Sequence, residues 1–404
     1  QAGRINKSGD WDLLKAKATR APRAPGGTGR AQKARPRLAR LAMVAAAALA
    51  VAGCAPQPLL DLTFGPPPLI SPTTTAGRLA DERGRFRDIL CAVNDAHGGA
   101  FLDRRGCDDM LIRATGEPAG TGQPVHVGSA RKKLRVATVS GLGADCFAGL
   151  VRPFETGLRH LETLGYGTAE IPIRGLGSST YNASIISDSL LNMNLEPDER
   201  VVLIGYSKGI ADVLEFLPMY PEMASKVAAV ISISGAVSGT LLAEGAPEFM
   251  LPVMKLFPNG QCYSADMGAV ESLRRSVRLR WFASHTLPKS VQYYSVATYA
   301  ERANISSFLH AGFDELSRID PRNDGKMLYY DQIIPGSRLL GFVNSDHWAA
   351  AVPISHQSPL LESLVADKNS FPREVLLEAI IRHVEENLLD EAVVAATAGN
   401  TAAR

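Results

Sequence analysis

Short, wholly apolar, β-rich segments recur from about residue 133 onwards, with helical patterns between them. Leu134–Val139, Ala169–Ile173, Val201–Ile204, Val227–Ile233, Val291–Thr298 and Leu339–Val343 are of this kind. A strand with no polar alternation has to be covered on both faces, which is the signature of a parallel sheet. The covers are legible in the helical spacing of Phe154, Leu158, Leu161 and Leu164, of Ile185, Ile186, Leu190 and Leu191, and of Val213, Phe216 and Leu217. The pattern predicts an α/β domain over residues 133–390, a mostly parallel sheet with helices on both faces. A last helix is predicted near Pro372–Leu388, with a disordered tail over 391–404. The alternation is interrupted at about 236–290, which reads as a cap or lid insertion. There Leu273, Val277 and Trp281 share a helical face beside Arg274, Arg275, Arg278 and Arg280. That face reads as a core stripe under a solvated basic surface, or as a helix lying on a membrane.

Charge separates the chain into two parts. Residues 1–53 carry eleven Lys and Arg against two Asp, a net of +9, whereas the remainder carries 32 against 39, a net of −7. An acidic body argues against a nucleic-acid binder, which needs its positive charge on the folded domain. Residues 34–40 are basic, and 41–52 (LAMVAAAALAVA) contain no polar side chain. A basic stretch followed by a short apolar one makes a secretory signal peptide, and twelve residues are too few to span a bilayer. Residues 1–33 read as an extension ahead of that signal. The run ends in Val51-Ala52-Gly53-Cys54, which resembles a bacterial lipobox. That resemblance implies acylation of Cys54 as the first mature residue and an address in the cell envelope. Ala55 in place of Asp leans it towards the outer membrane, facing the periplasm. Residues 54–78, rich in Pro and Thr, then read as an extended tether, and 79–132 as a disulfide-bearing N-terminal segment that wraps the main domain.

With Cys54 assigned to lipid, four of the five cysteines remain, an even number in an oxidising compartment. Cys91 and Cys107 lie across a Gly-rich turn and are expected to pair, leaving Cys146 with Cys262. Neither C-x-x-C nor a local Cys/His ligand spacing occurs, so no metal is expected.

The chemistry centres on Gly205-Tyr206-Ser207-Lys208-Gly209, the single G-x-S-x-G of the chain, preceded by the apolar run Val201–Ile204 and followed by a helical pattern. A strand-to-helix turn this tight exposes a serine hydroxyl at the sheet edge, and its glycines let neighbouring backbone pass. Here the chain resembles the α/β-hydrolase superfamily, particularly bacterial lipases and esterases, over roughly residues 133–390. The resemblance implies a nucleophile, an acid and a histidine in that order. Of the eight histidines, only His347, His356 and His383 follow the last strand, and His347 stands directly after it in Asn344-Ser345-Asp346-His347-Trp348. Asn323-Asp324-Gly325 resembles the turn that carries the acid, making Asp324 the choice, with Glu301, Asp320 and Asp331 as rivals. Asp346 reads as a residue that orders the histidine loop. Ser140-Gly141-Leu142-Gly143 resembles the lipase oxyanion turn, which implies backbone N–H donors at Lys208 and at Leu142, with Gly143 as the alternative.

No cofactor is expected, because GLGADC and GLGSST lack the third glycine of a dinucleotide site, and no Walker, zinc-protease or EF-hand pattern occurs. The expectation is therefore a serine esterase or lipase acting on small-molecule or lipid esters and held at a membrane by its lipid. A thioesterase or acyltransferase with the same three residues, or a non-catalytic envelope lipoprotein, remain alternatives.

Overall fold

The computed structural model describes residues 79–146, 152–245, 265–353 and 370–402. All lie in the compact unit formed by residues 59–404. The expected signal, the Cys54 anchor, the tether, Cys262, His356 and the middle of the expected cap fall outside the described residues.

Among the described residues eight strands form one sheet: β1 (Ala80–Asp81), β2 (Leu111–Ile112), β3 (Leu134–Val139), β4 (Gly167–Ile171), β5 (Arg200–Tyr206), β6 (Val227–Ile233), β7 (Gln292–Tyr299) and β8 (Arg338–Asn344). The order is β1-β8-β7-β6-β5-β3-β4, with β2 also on β8. Every pairing is parallel except β2 with β8. β1 and β2 take opposite ends of the outer edge of β8, so two short strands close an edge that would otherwise be open to other chains. The sequence pattern does not reveal them, because two residues carry no periodicity. β4 begins two residues before its expected start, in register with β3 from Arg135↔Gly167.

Alternate strand residues feed two cores. Val136, Val202, Ile204, Ile231 and Val296 point to one face, where they meet Phe86, Ile89 and Leu90, Leu158 and Leu161, and Leu377, Ile380 and Ile381. These last belong to helices α1 (Arg83–His97), α2 (Glu155–Thr163) and α6 (Arg373–Ala402). Val139, Val201, Leu203 and Val230 point to the other face, against Ile186, Leu190, Val213, Phe216 and Leu217 of α3 (Ser179–Leu191) and α4 (Lys208–Met219). The N-terminal segment is therefore built into the same core as the sheet, and Cys91 of α1 is bonded to Cys107 as expected. Cys146 is also disulfide-bonded, while its expected partner Cys262 is not described.

Two expectations are corrected. Helix α6 runs on to Ala402 rather than ending near Leu388 in a disordered tail. The continuation is rich in Ala, which has the highest helix propensity. The basic stretch of the expected cap keeps its stripe, with Leu273 and Trp281 buried and Arg280 exposed, but the helix breaks at Arg274 and Arg278 is buried rather than solvated. It forms Ala269–Leu273 and a separate helix α5 (Arg275–Ser284). Trp281 and Phe282 of α5 join the α3–α4 core. Arg278 is 2% exposed, with its guanidinium 4.6 Å from the Trp281 ring centroid. Ring contact and the Glu215 carboxylate at 3.7 Å draw this arginine inward. Burial pushes its guanidinium down to about 10 against the pull of Glu215 and Asp212.

The sheet order reverses between β3 and β5, since β4 lies outside β3 while β6 lies beyond β5. In open parallel sheets this switch point leaves a crevice at the C-terminal strand ends. Here those ends lead into the Ser140–Gly143 turn and into Ser207.

Candidate active site

Ser207 stands between the end of β5 and the start of α4 with φ 55° and ψ −126°. This backbone conformation is costly for a residue with a Cβ and persists only where its surroundings enforce it. The enforcement is tight contact. A Cβ on Gly209 would lie 2.0 Å from the Val139 carbonyl oxygen, and one on Gly205 would lie 2.4 Å from the Ile210 Cα. Gly141 meets Ser207 itself: a Cβ there would stand 2.9 Å from the serine Oγ. The Ser207 carbonyl accepts the Ala236 N–H at 2.9 Å, which ties the elbow to the loop after β6.

His347 follows β8 and brings its Nε2 to 3.0 Å from Ser207 Oγ. Its Nδ1 lies 2.9 Å from Asp324 Oδ2. The ring is held from several sides. Tyr206 stacks on it, with centroids 5.3 Å apart, and donates its hydroxyl to the His347 carbonyl at 2.8 Å. Burial, then the charges of Asp324 and Asp346, push the Tyr206 phenol well above its ordinary value, so it remains a neutral donor. Asp346 does order the loop: Oδ1 accepts the N–H groups of Trp348 and Ala349 at 3.0 and 2.8 Å, and Oδ2 accepts from Ser306.

Asp324 is fully buried. Its turn folds locally because Oδ1 accepts the N–H groups of Lys326 and Met327 at 2.9 and 2.8 Å, and because Asn323 Oδ1 accepts from Gly325, whose φ of 88° suits glycine. Oδ2 also receives the Thr298 hydroxyl at 2.9 Å and, more distantly, Gln332 Nε2 at 3.4 Å. The Gln332 side chain further pairs with the Thr298 backbone, which fixes β7 to the acid turn. The rival acids stand elsewhere. Glu301 is exposed, Asp320 is paired with Arg322, and Asp331 is paired with Arg275, its carboxyl raised to about 6 by burial. His383 bonds to Glu82 on the far helix layer.

The amide side of the site is equally constrained. Lys208 N–H opens α4, where no earlier helical carbonyl exists to take it. Gly143 N–H is spent on the Gly175 carbonyl at 3.2 Å, while no backbone acceptor takes that of Leu142 among the described residues. The Lys208 side chain turns inward and donates to Asp212 Oδ1 at 2.6 Å, both groups fully buried. Ser179 and Asn182 complete the Asp212 carboxylate. Burial pushes that carboxyl up and the Lys208 ammonium pulls it down, with burial the larger effect. The sequence motif points to the backbone N–H of Lys208 but leaves the side chains of Tyr206 and Lys208 variable. Their roles, and those of Thr298 and Gln332, rest on contacts between distant segments.

A hydroxyl bonded to an imidazole that is itself bonded to a buried carboxylate is an arrangement suited to nucleophilic catalysis. The parallel sheet with helices on both faces is that of an α/β-hydrolase. Comparison with protein-family models and with curated proteins finds no match. Among solved structures the chain is similar to the metagenomic carboxyl esterase MGS0156, at 37% identity and a TM-score of 0.73, covering 84% of this chain and 99% of that one. It also resembles the mature form of Bacillus licheniformis lipase BlEst2, at 22% identity and a TM-score of 0.44, covering 56% of this chain and 89% of that one. The chain belongs to the α/β-hydrolase superfamily, with the carboxyl esterases.

Proposed function

We propose that the protein hydrolyses carboxylic esters through an acyl-enzyme on Ser207, with His347 as base and Asp324 as its partner. The observation that carries this reading is the continuous line from Ser207 Oγ to His347 Nε2 at 3.0 Å and from His347 Nδ1 to Asp324 Oδ2 at 2.9 Å, at the sheet's switch point. Ser207 Oγ attacks the acyl carbon while its proton passes to His347 Nε2. The carbonyl π pair moves to oxygen, and the N–H groups of Leu142 and Lys208 take up that charge. The C–O bond to the alcohol then breaks, and His347 returns its proton to the leaving oxygen. Water repeats the sequence on the acyl-serine and releases the acid. Asp324 holds the tautomer with its proton on Nδ1 and stabilises the imidazolium. No step requires a cofactor.

We propose further that the enzyme is exported and fixed to the bacterial envelope by lipid on Cys54. The sequence from the basic stretch to Val51-Ala52-Gly53-Cys54 supports this, and so does the Cys91–Cys107 disulfide, a bond that persists in oxidising compartments. Cys54→Ala is expected to move the protein from the membrane to the soluble fraction.

Activity is tested with p-nitrophenyl esters from C2 to C16 on the parent protein and Ser207→Ala. Hydrolysis of the series by the parent alone supports the reading, and equal rates for the two proteins overturn it. Hydroxamate trapping in the same assay would expose acyl transfer to an acceptor other than water.

A further inference from the structure

We propose that His97, His160 and Glu378 form a binding site for a divalent transition metal, best suited to Zn²⁺, on the helical layer built by α1, α2 and α6. His97 Nδ1 and His160 Nε2 both approach the same oxygen, Glu378 Oε2, at 2.8 and 2.6 Å. The three donor atoms lie within 4.8 Å of one another. Two imidazole nitrogens and one carboxylate oxygen are a recurrent zinc ligand set, with a fourth position left for water.

The surroundings fit a cation. The Glu378 side chain is fully buried, which fixes the anionic ligand, whereas His97 is 27% exposed and leaves a path from solvent. Each imidazole sits in the last turn of its helix, His97 at the end of α1 and His160 near the end of α2. Helix C-termini carry partial negative charge, so two of them converge on the position a dication would take. Arg382 donates to the other carboxylate oxygen, Glu378 Oε1, at 3.2 Å. It orients the ligand from behind, as outer partners of metal carboxylates do, and leaves Oε2 free to bind. The Arg382 charge is itself faced by Glu385, 4.0 Å away.

Without metal, two N–H groups crowd one oxygen. With metal, each facing nitrogen presents a lone pair and its proton resides on the outer nitrogen. Ligand atoms around a tetrahedral zinc with bonds of about 2.0–2.1 Å stand roughly 3.3 Å apart, so the cluster has to open by about half an ångström. The residues lie 63 and 218 positions apart, which is why no local ligand spacing reveals them and why none is expected from the sequence. A metal here would pin α1, beside its Cys91–Cys107 bond, to the helices that cover the sheet.

The test loads the full chain with Zn²⁺, dialyses it against metal-free buffer, and measures metal per protein for the parent, His97→Asn and His160→Asn. The proposal expects close to one equivalent in the parent, a loss of at least tenfold in affinity in each variant, and a tetrahedral absorption spectrum with Co²⁺. It also expects the parent Tm to rise by about 5 °C in excess Zn²⁺ while the variants stay unmoved. His97 stands at the end of its helix and is partly exposed, so that variant serves if His160→Asn does not fold. No retained metal in the parent, or equal uptake in parent and variants, overturns the proposal and leaves a carboxylate hydrogen-bonded to two imidazoles.

Discussion

Replacing Asp324 by Asn separates the orienting role of this carboxylate from its place in the fold. Oδ1 receives two backbone N–H groups, from Lys326 and Met327, which cannot turn away. The asparagine oxygen is therefore held on that side, and its NH₂ group faces His347. Where the carboxylate accepted from Nδ1 at 2.9 Å, two donors would now oppose each other. The imidazole escapes by moving its proton to Nε2, which presents N–H instead of a lone pair to Ser207 Oγ. Loss of the competent tautomer on such an arrangement costs about 10⁴ in kcat, or about 5 kcal/mol of barrier. The folding cost is smaller, because only the side-chain partners Thr298 and Gln332 are disturbed, and about 1–3 kcal/mol is expected. The assay is steady-state hydrolysis of p-nitrophenyl butyrate beside a thermal melt. A kcat within about tenfold of the parent, in a variant that still melts cooperatively, would refute this reasoning.

Gly209→Ala places a methyl 2.0 Å from the Val139 carbonyl; backbone on both sides cannot yield cheaply, so a loss of about 3 kcal/mol in urea unfolding is expected, with activity falling in the folded fraction. Lys208→Met strands the fully buried Asp212 and should cost about 3–5 kcal/mol. Adding Asp212→Asn should recover part of it, and a single-variant cost below about 1 kcal/mol would contradict the buried pair. Glu82 is raised by burial but pulled further down by His383 and Arg338, from 4.5 to about 2. Its stabilisation is thus complete above the unfolded value near 4.5 and disappears as pH falls from there through 2, a loss of about 3 kcal/mol at most. Glu82→Gln should flatten the acid limb of the Tm–pH curve below pH 5, and superimposable limbs would contradict the assignment.

The parts of this molecule legible in its sequence are those written in local pattern. β3 and β6 coincide with their apolar runs, and the elbow was readable because strand, serine and helix are adjacent in the chain. His347 and Asp324 followed from order along the chain, a resemblance rather than a geometry. What escaped is non-local. Helix α1 has a polar sequence, with Arg83, Arg85 and Arg87 all buried, and these are tolerated only because Asp81, Glu386 and Glu117 meet them. Arg278 misled for the same reason, since an arginine at helical spacing looks solvated until an aromatic ring and a distant Glu are placed beside it. Thr298, Gln332 and the His97–His160–Glu378 cluster owe their meaning to the packing of separate elements.

A fluorophosphonate reacts with an activated serine and leaves a phosphonyl group on its oxygen, which peptide mass spectrometry can place. The proposed mechanism requires one adduct per chain on the peptide that holds Ser207, and a much slower reaction in His347→Ala. An adduct on any other serine, or none in a protein that hydrolyses esters, would contradict it.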